Sequence, residues 1–146
     1  MTEILIKRLS DKVVLPKYET EGSSGLDLAA HINESIEIKP GSTAIIPTGL
    51  AVSIPKNFEI QIRPRSGLAA KNQLSVLNTP GTIDADYRGE IKVILINLSD
   101  KVFVVERGSR IAQMVVCPVI KASLKEVTKL ESTERGSGGF GSTGIK

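Results

Sequence analysis

The segment Ile91–Leu98, read I-K-V-I-L-I-N-L, limits the fold more than any other. It is nearly continuous in apolar residues, and a strand with that pattern is buried on both faces rather than one. The chain has 146 residues, the usual size of a single domain with a real core. In one small sandwich a strand packs one face on the core, so its second face needs a cover. A neighbouring copy of the chain would supply it, which points to a symmetric oligomer.

The other segments read as short strands between turns. Glu3–Arg8 sets Ile4 and Ile6 on one face, and Ser10–Ser24 is loop, punctuated by Pro16, Gly22 and Ser23. Leu26–Ala30 and the alternating Glu34–Ile38 follow, the second closed by the Lys39-Pro40-Gly41 turn. Thr43–Pro47 and Leu50–Ile54 read as two strands parted by Thr48-Gly49. Phe58–Arg63 places Phe58, Ile60 and Ile62 on a common face. Ser66–Gln73 is the one expected helix, with Ser66 as its N-cap. Leu74–Leu77, Val102–Val105, Ile111–Ile120 and Leu124–Val127 complete the set. About ten to twelve short strands at this spacing predict an all-β sandwich or barrel. Aromatics are 3% of the chain, so branched aliphatics must fill the core.

Charge and special residues exclude several classes. A formal net charge of +3, evenly spread, does not indicate nucleic-acid or membrane binding. Met1–Ser10 has no apolar leader region, and no apolar run approaches the roughly 18 residues of a membrane span. The expectation is a cytoplasmic protein. Cys117 is the only cysteine, so neither an intrachain disulfide nor a cysteine zinc cluster is available. It is expected to be a buried, inert thiol. His31 is the only histidine and has no partner pattern, so histidine-based nucleophilic catalysis is set aside.

Chemistry concentrates in a few places. Leu77–Glu90, L-N-T-P-G-T-I-D-A-D-Y-R-G-E, carries turn residues at both ends and is expected to form a two-strand hairpin. Strand alternation would put Asp84 and Asp86 on one face and Tyr87 on the other. Asp84 and Tyr87 can meet one ligand only if the chain bends or bulges there. In Ile62–Gly67, Pro64 stops a strand, Arg65 supplies charge and Ser66 begins the helix. An anion site and a plain capped helix fit that segment equally well. Asp27, between Leu26 and Leu28, is either a surface carboxylate or a helper for Mg²⁺, which prefers few carboxylates, waters and substrate phosphates. Gln113 sits in a strand otherwise suited to burial, so its amide needs a partner.

From Glu131 the composition changes. Residues 132–146 hold five glycines and five Ser/Thr, which cannot build a core and should be mobile. Its overlapping G-x-G-x-x-G patterns are not a dinucleotide fingerprint, because no helix-forming stretch follows. Their physics still favours phosphate. Glycine amides can fold around phosphate oxygens, Ser142 and Thr143 add hydroxyls, Arg135 adds a charged fork and Phe140 offers a face for a base. Such a tail suits a lid that orders over a nucleotide.

Taken in order, Ser24–Ala30, Pro64–Lys71, Asn78–Glu90, Arg107–Val115 and Arg135–Gly144 closely resemble the trimeric dUTP pyrophosphatases (dUTPases), over essentially the whole chain. Ser24 departs from the small apolar residue usual in that family. The resemblance implies an all-β jelly roll with one short helix, assembled as a homotrimer with a site at each subunit interface. It implies a domain over residues 1–130 and a flexible arm over 131–146. The implied activity is hydrolysis of dUTP to dUMP and pyrophosphate by in-line water attack on the α-phosphorus, with Mg²⁺. Asp84 then resembles the general base. Tyr87 would pack on the deoxyribose, leaving no room for a 2′-OH. Asn78, with the backbone of Gly81, Thr82 and Ile83, would read the uracil edge. Arg65, Ser66, Gly67 and Gln113 would line the phosphates, and Asp27 would touch the waters of the metal. Arg135, Phe140, Gly141, Ser142 and Thr143 would close from a neighbouring subunit, with Phe140 over uracil and Arg135 on the γ-phosphate. The D-A-D-Y-R-G run fits dUTPases better than the dCTP deaminases of the same fold, which usually place a Glu base near the pyrimidine.

Overall fold

The computed structural model describes residues 2–144. Among them the chain forms ten strands and one helix: β1 (Leu5–Arg8), β2 (Leu26–Ala29), β3 (Ile36–Ile38), β4 (Thr43–Ser53), β5 (Phe58–Arg63), α1 (Ser66–Asn72), β6 (Leu74–Val76), β7 (Gly81–Ile83), β8 (Glu90–Asn97), β9 (Phe103–Val105) and β10 (Arg110–Pro118). One antiparallel sheet runs β1-β4-β8-β6 and a second runs β2-β10-β5-β7, with β3 and β9 paired apart. The core lies between the two larger sheets. Ile46, Leu50, Val52, Val93 and Leu95 come from the first, and Leu28, Ile60, Ile62, Ala112 and Met114 from the second. Nearly all of it is Val, Ile and Leu, as the shortage of aromatics requires. No helix among the described residues is long and apolar enough to cross a membrane.

β8 shows how its apolar run is used. Ile91, Val93, Leu95 and Asn97 point inward and are buried, while Ile94 and Ile96 on the other face are half-buried. Ile94 stands opposite Ile45 of β4, which is 61% exposed. Within one chain, then, the second apolar face of β8 is only partly covered. Asn97 is a buried amide with every bond made. Its Nδ2 donates to the carbonyls of Ile38 at 2.8 Å and Lys101 at 2.7 Å, and its Oδ1 accepts from the Ser99 amide at 3.0 Å.

Four local expectations are corrected. Thr43–Pro47 and Leu50–Ile54 are not two strands but one, β4, interrupted by a bulge. Pro47 to Ala51 covers four steps of β4 against two of β8, from Lys92 to Glu90. Thr48 and Gly49 resemble a turn in sequence because they need special backbone, and the bulge uses that same property. The Thr48 hydroxyl donates to the Ile91 carbonyl at 2.6 Å, and the Gly49 amide donates to Glu90 Oε1 at 2.9 Å. Second, Leu77–Glu90 does not pair with itself. β7 pairs with β5, and β8 pairs with β4 and β6. The segment leaves one sheet, lies on the other and returns. Third, Ser66 is the first residue of α1 and not its cap; Arg65 takes the cap position without a side-chain bond. Fourth, Leu124–Val127 forms no strand. Its Leu124 is 94% exposed, and no hydrogen bond among the described residues ties the segment to a neighbouring strand.

The bulge gives a stability prediction. Gly49 has φ +69°, and a Cβ there would collide with Val13 Cγ2 and the His31 ring. Gly49→Ala should lose the roughly 1–2 kcal/mol of a left-handed alanine and a packing penalty besides. Gly41, at φ +71° with open space around it, should lose the backbone part alone when changed to Ala. Urea unfolding midpoints check both; equal shifts would show that the close packing at Gly49 is of no consequence.

Candidate active site

The strap Leu77–Glu90 carries the carboxylate that the sequence singles out. β7 lies antiparallel on β5, with Gly81 opposite Ile62, Thr82 opposite Gln61 and Ile83 opposite Ile60. Gly81 lies close to its neighbours: a Cβ would stand 3.3 Å from Ile62 Cβ and 3.2 Å from the Asn78 side-chain nitrogen, tighter than ordinary contact. The Asn78 amide therefore sits beside the start of β7. β7 is also the last strand of its sheet, so the outer edge of its backbone has no strand partner.

After Ile83 the chain bends, as a shared role for Asp84 and Tyr87 requires. The Tyr87 amide donates to the Asp84 carbonyl at 3.1 Å, closing a turn. Arg88 Nη1 braces the turn through the carbonyls of Ala85 at 2.7 Å and Tyr87 at 2.9 Å. The Tyr87 ring lies on Gly89, where any side chain would collide with it, and its hydroxyl donates to the Glu90 carbonyl at 3.0 Å. The Asp84 side chain is exposed and makes no hydrogen bond among the described residues.

A second group gathers where β10 runs between β2 and β5. Gln113 pairs in register with Asp27 on one side and Arg63 on the other. Its amide finds the partner its burial demands: Nε2 donates to the Pro64 carbonyl at 3.0 Å, and its Oε1 lies over Gly25, leaving no room for a Cβ there. Asp27 accepts from Arg65 Nε at 3.2 Å and from Arg110 Nη1 at 3.0 Å. Arg65 also donates to the Arg110 carbonyl at 3.3 Å. A groove of about 420 Å³ joins Ser66 and Gln113 to Thr79 and Pro80 at the start of the strap. Gly67 faces open space, so its backbone is accessible.

Asp84 and Arg65 stand at opposite ends of β5. Asp84 leaves β7 just past Ile60, whereas Arg65 follows Arg63. Three residue steps from Ile60 to Arg63 are about 10 Å of strand. No hydrogen bond or ion pair among the described residues joins Asp84 or Tyr87 to Arg65, Ser66 or Gln113. The tail is not brought in either. The Val119 amide, on the Asn57 carbonyl at 2.7 Å, is its last tie to the sandwich among the described residues. Beyond it Arg135 Nε donates to the Gly138 carbonyl at 2.8 Å, and Ser142 and Gly144 close turns of their own. Phe140, Gly141, Ser142 and Thr143 are exposed.

Three further residues differ from expectation or were missed. Cys117 is half-buried, not buried, with Arg63 Nη2 at 3.6 Å across the strand pair. His31 packs its ring on Gly49. Arg110 is the functional candidate that sequence reasoning passed over. Three places before Gln113, simple alternation would turn it to the opposite face. As for a metal, no group of three or more His, Cys, Asp or Glu is assembled among the described residues. Asp27 is alone, and each of its oxygens keeps a lone pair beyond its arginine bond. The residues therefore fit a cation held through water and substrate oxygens, and not one caged by side chains.

A β-sandwich with arginines, a hydroxyl and an amide at one end of a strand, and an exposed carboxylate at the other, has the parts of a hydrolase acting on phosphate anhydrides. Comparison with known proteins narrows that class to one family. The dUTPase family profile matches residues 11–144. The deoxyuridine 5'-triphosphate nucleotidohydrolase of Hydrogenobaculum sp. is 54% identical over 144 residues, covering 99% of both chains. That of Rickettsia bellii is 57% identical over 146 residues, covering 99% of this chain and 97% of its own. The dUTPase of Staphylococcus bacteriophage 80alpha, solved with dUPNHPP, superposes with a TM-score of 0.89 at 28% identity, over 99% of this chain and 100% of that one. The chain belongs to the dUTPase family. It is an enzyme of nucleotide metabolism, a dUTP diphosphatase that yields dUMP and pyrophosphate.

Proposed function

We propose that the chain hydrolyses dUTP by in-line attack of a water activated by Asp84, in sites completed between copies of a jelly-roll homotrimer. The observation that carries this reading is the separation of Asp84 from Arg65 along β5. Within one chain the base and the phosphate cradle stand about 10 Å or more apart along β5 with no bond between them, which supports a site in which a second copy brings its base to the first copy's cradle. The half-covered Ile94 and Ile96, with exposed Ile45 beside them, support contact between copies.

The roles follow from placement. The free outer edge of β7, at Gly81, Thr82 and Ile83, pairs with the polar edge of uracil, and Asn78 completes the reading. Tyr87, fixed by Gly89 and the Glu90 carbonyl, walls the deoxyribose where a 2′-OH would stand. Arg65, Ser66, the Gly67 backbone and Gln113 hold the phosphates in line. Asp84 takes a proton as the water oxygen bonds to the α-phosphorus. The bond from that phosphorus to the bridging oxygen breaks, and pyrophosphate leaves. Mg²⁺, touched by Asp27 through water, neutralises charge on the triphosphate when bound. The arm 131–146 closes from a neighbouring copy, placing Arg135 on the γ-phosphate, Phe140 over uracil and Gly141, Ser142 and Thr143 on phosphate oxygens. The setting is the cytoplasm, where the enzyme removes dUTP and supplies dUMP for thymidylate synthesis, with neither nucleic acid nor membrane as a partner.

Pyrophosphate release from dUTP with Mg²⁺ tests the reading. Ammonia release from dCTP in place of that reaction would overturn it. A spectroscopic test of the arm uses the absence of tryptophan from the chain. In Phe140→Trp the indole replaces a solvated ring and should emit red-shifted light with low anisotropy. Saturating dUPNHPP with Mg²⁺ should shift or quench that emission and raise the anisotropy, and dUMP should do so less. Phe140→Ala should weaken closure by about 1–3 kcal/mol, the worth of one base–aromatic stack. An indole blind to the analogue removes the lid role of 135–144.

A further inference from the structure

We infer that Arg110 is a positioning residue that keeps Asp27 in place while Arg65 exchanges Asp27 for the substrate's phosphates. The inference rests on the phosphate role proposed for Arg65. Three observations carry it.

The first is a bulge in β10. Ala112 pairs with Leu28, yet Arg110 pairs with Ala29, so two steps of β10 match one of β2. Unbroken pairing would set Arg110 opposite Ala30, whose side chain is buried inward like that of Leu28. The extra residue instead leaves Ile111 and Ala112 both buried and turns Arg110 to the outer face, beside Gln113 and Asp27. A bulge re-aims one side chain at the cost of a ladder bond, and here the side chain re-aimed is Arg110.

The second is how Arg65 is engaged. Its Nε is bound to Asp27 and its Nη1 to the Arg110 carbonyl. A guanidinium grips an anion with two parallel donors from one edge. The edge that Nε shares with Nη2 has one donor already spent, so a bidentate hold on phosphate through that edge requires Arg65 to let go of Asp27.

The third is the state of Asp27 once Arg65 leaves. Its side chain is only 19% exposed, and an unpaired carboxylate there is costly. Arg110, itself 51% exposed and 3.0 Å from the other oxygen, stays behind and holds the carboxylate in its orientation. Without Arg110, Asp27 would hold Arg65 back from the phosphates.

A double-mutant cycle tests this by calorimetric titration of the whole chain with metal-free dUPNHPP. Arg110→Gln is expected to weaken binding about tenfold, and Arg110→Lys less. In an Asp27→Asn background, where the charge that holds Arg65 back is gone, Arg110→Gln should change affinity less than twofold. Saturating Mg²⁺ should recover much of the Arg110→Gln loss, because the cation draws Asp27 away from Arg65. Equal weakening in both backgrounds would overturn the inference, since Arg110 would then touch phosphate itself. No weakening in either would overturn it too. Side-chain nitrogen resonances of the unmutated protein give a reading free of folding effects: the analogue should move the Arg65 Nε signal and leave that of Arg110. Movement of both together is the opposing result. Absence of dUTP hydrolysis by the unmutated chain is a separate outcome, which removes the proposed function and this inference with it.

Discussion

Asp84→Asn is expected to bind dUPNHPP within a few-fold of the unmutated chain and to turn over dUTP roughly 10²–10⁴-fold more slowly, the range of a lost general base. The structure makes this substitution unusually clean. The Asp84 side chain makes no hydrogen bond among the described residues, and the turn is held through its backbone carbonyl, not its carboxylate. An amide of the same shape should leave Tyr87, Arg88 and β7 where they are. Single-turnover hydrolysis beside analogue titration separates the chemical step from binding. Turnover within a few-fold of the unmutated rate, at any pH, would remove Asp84 from the mechanism.

Deleting residues 132–146 is expected to abolish nearly all hydrolysis while leaving the melting temperature and oligomer unchanged. Among the described residues, those beyond Val119 contribute no hydrogen bond to the sandwich and no buried side chain. The deletion spares Ile120, Leu124 and Val127, so any apolar contact they make persists. Loss of the oligomer would mean that the segment is structural. Mixing the truncated chain with Asp84→Asn under subunit exchange then decides which copy an arm serves. Each chain alone lacks one part, and recovered activity requires an intact arm to reach a base on another copy.

What the sequence made legible follows from the range of the forces involved. Strands with a strict inward row, such as Ile60 and Ile62 in β5 or Val93 and Leu95 in β8, announce themselves because burial acts on each residue in turn. Thr48-Gly49 misled because bulge and turn demand the same backbone, and only the pairing with β8 tells them apart. The strap looked like a hairpin because turn chemistry is local, whereas the partner of β7 is β5, far earlier in the chain. Arg110 was hidden for a related reason: face assignment by alternation fails at a bulge. Asn78, Asp84, Tyr87, Arg65 and Gln113 were singled out by motif order. Their distribution over the two ends of β5 could not be, since it depends on pairing register.

The strap touches both layers of the sandwich. It starts from β6 in one sheet, is fastened through β7 to the other, and returns as β8. Asp84 thus hangs between two layers whose separation is set by the side chains packed between them. Ile62, Leu95 and Val93 act as shims, each setting the gap by its own thickness. Thinning one of them is expected to tilt the strap and shift Asp84, the proposed base, before the chain comes apart. With Asp84 as the proposed base, the rate of reaction is expected to be a finer gauge of interior packing than the melting point.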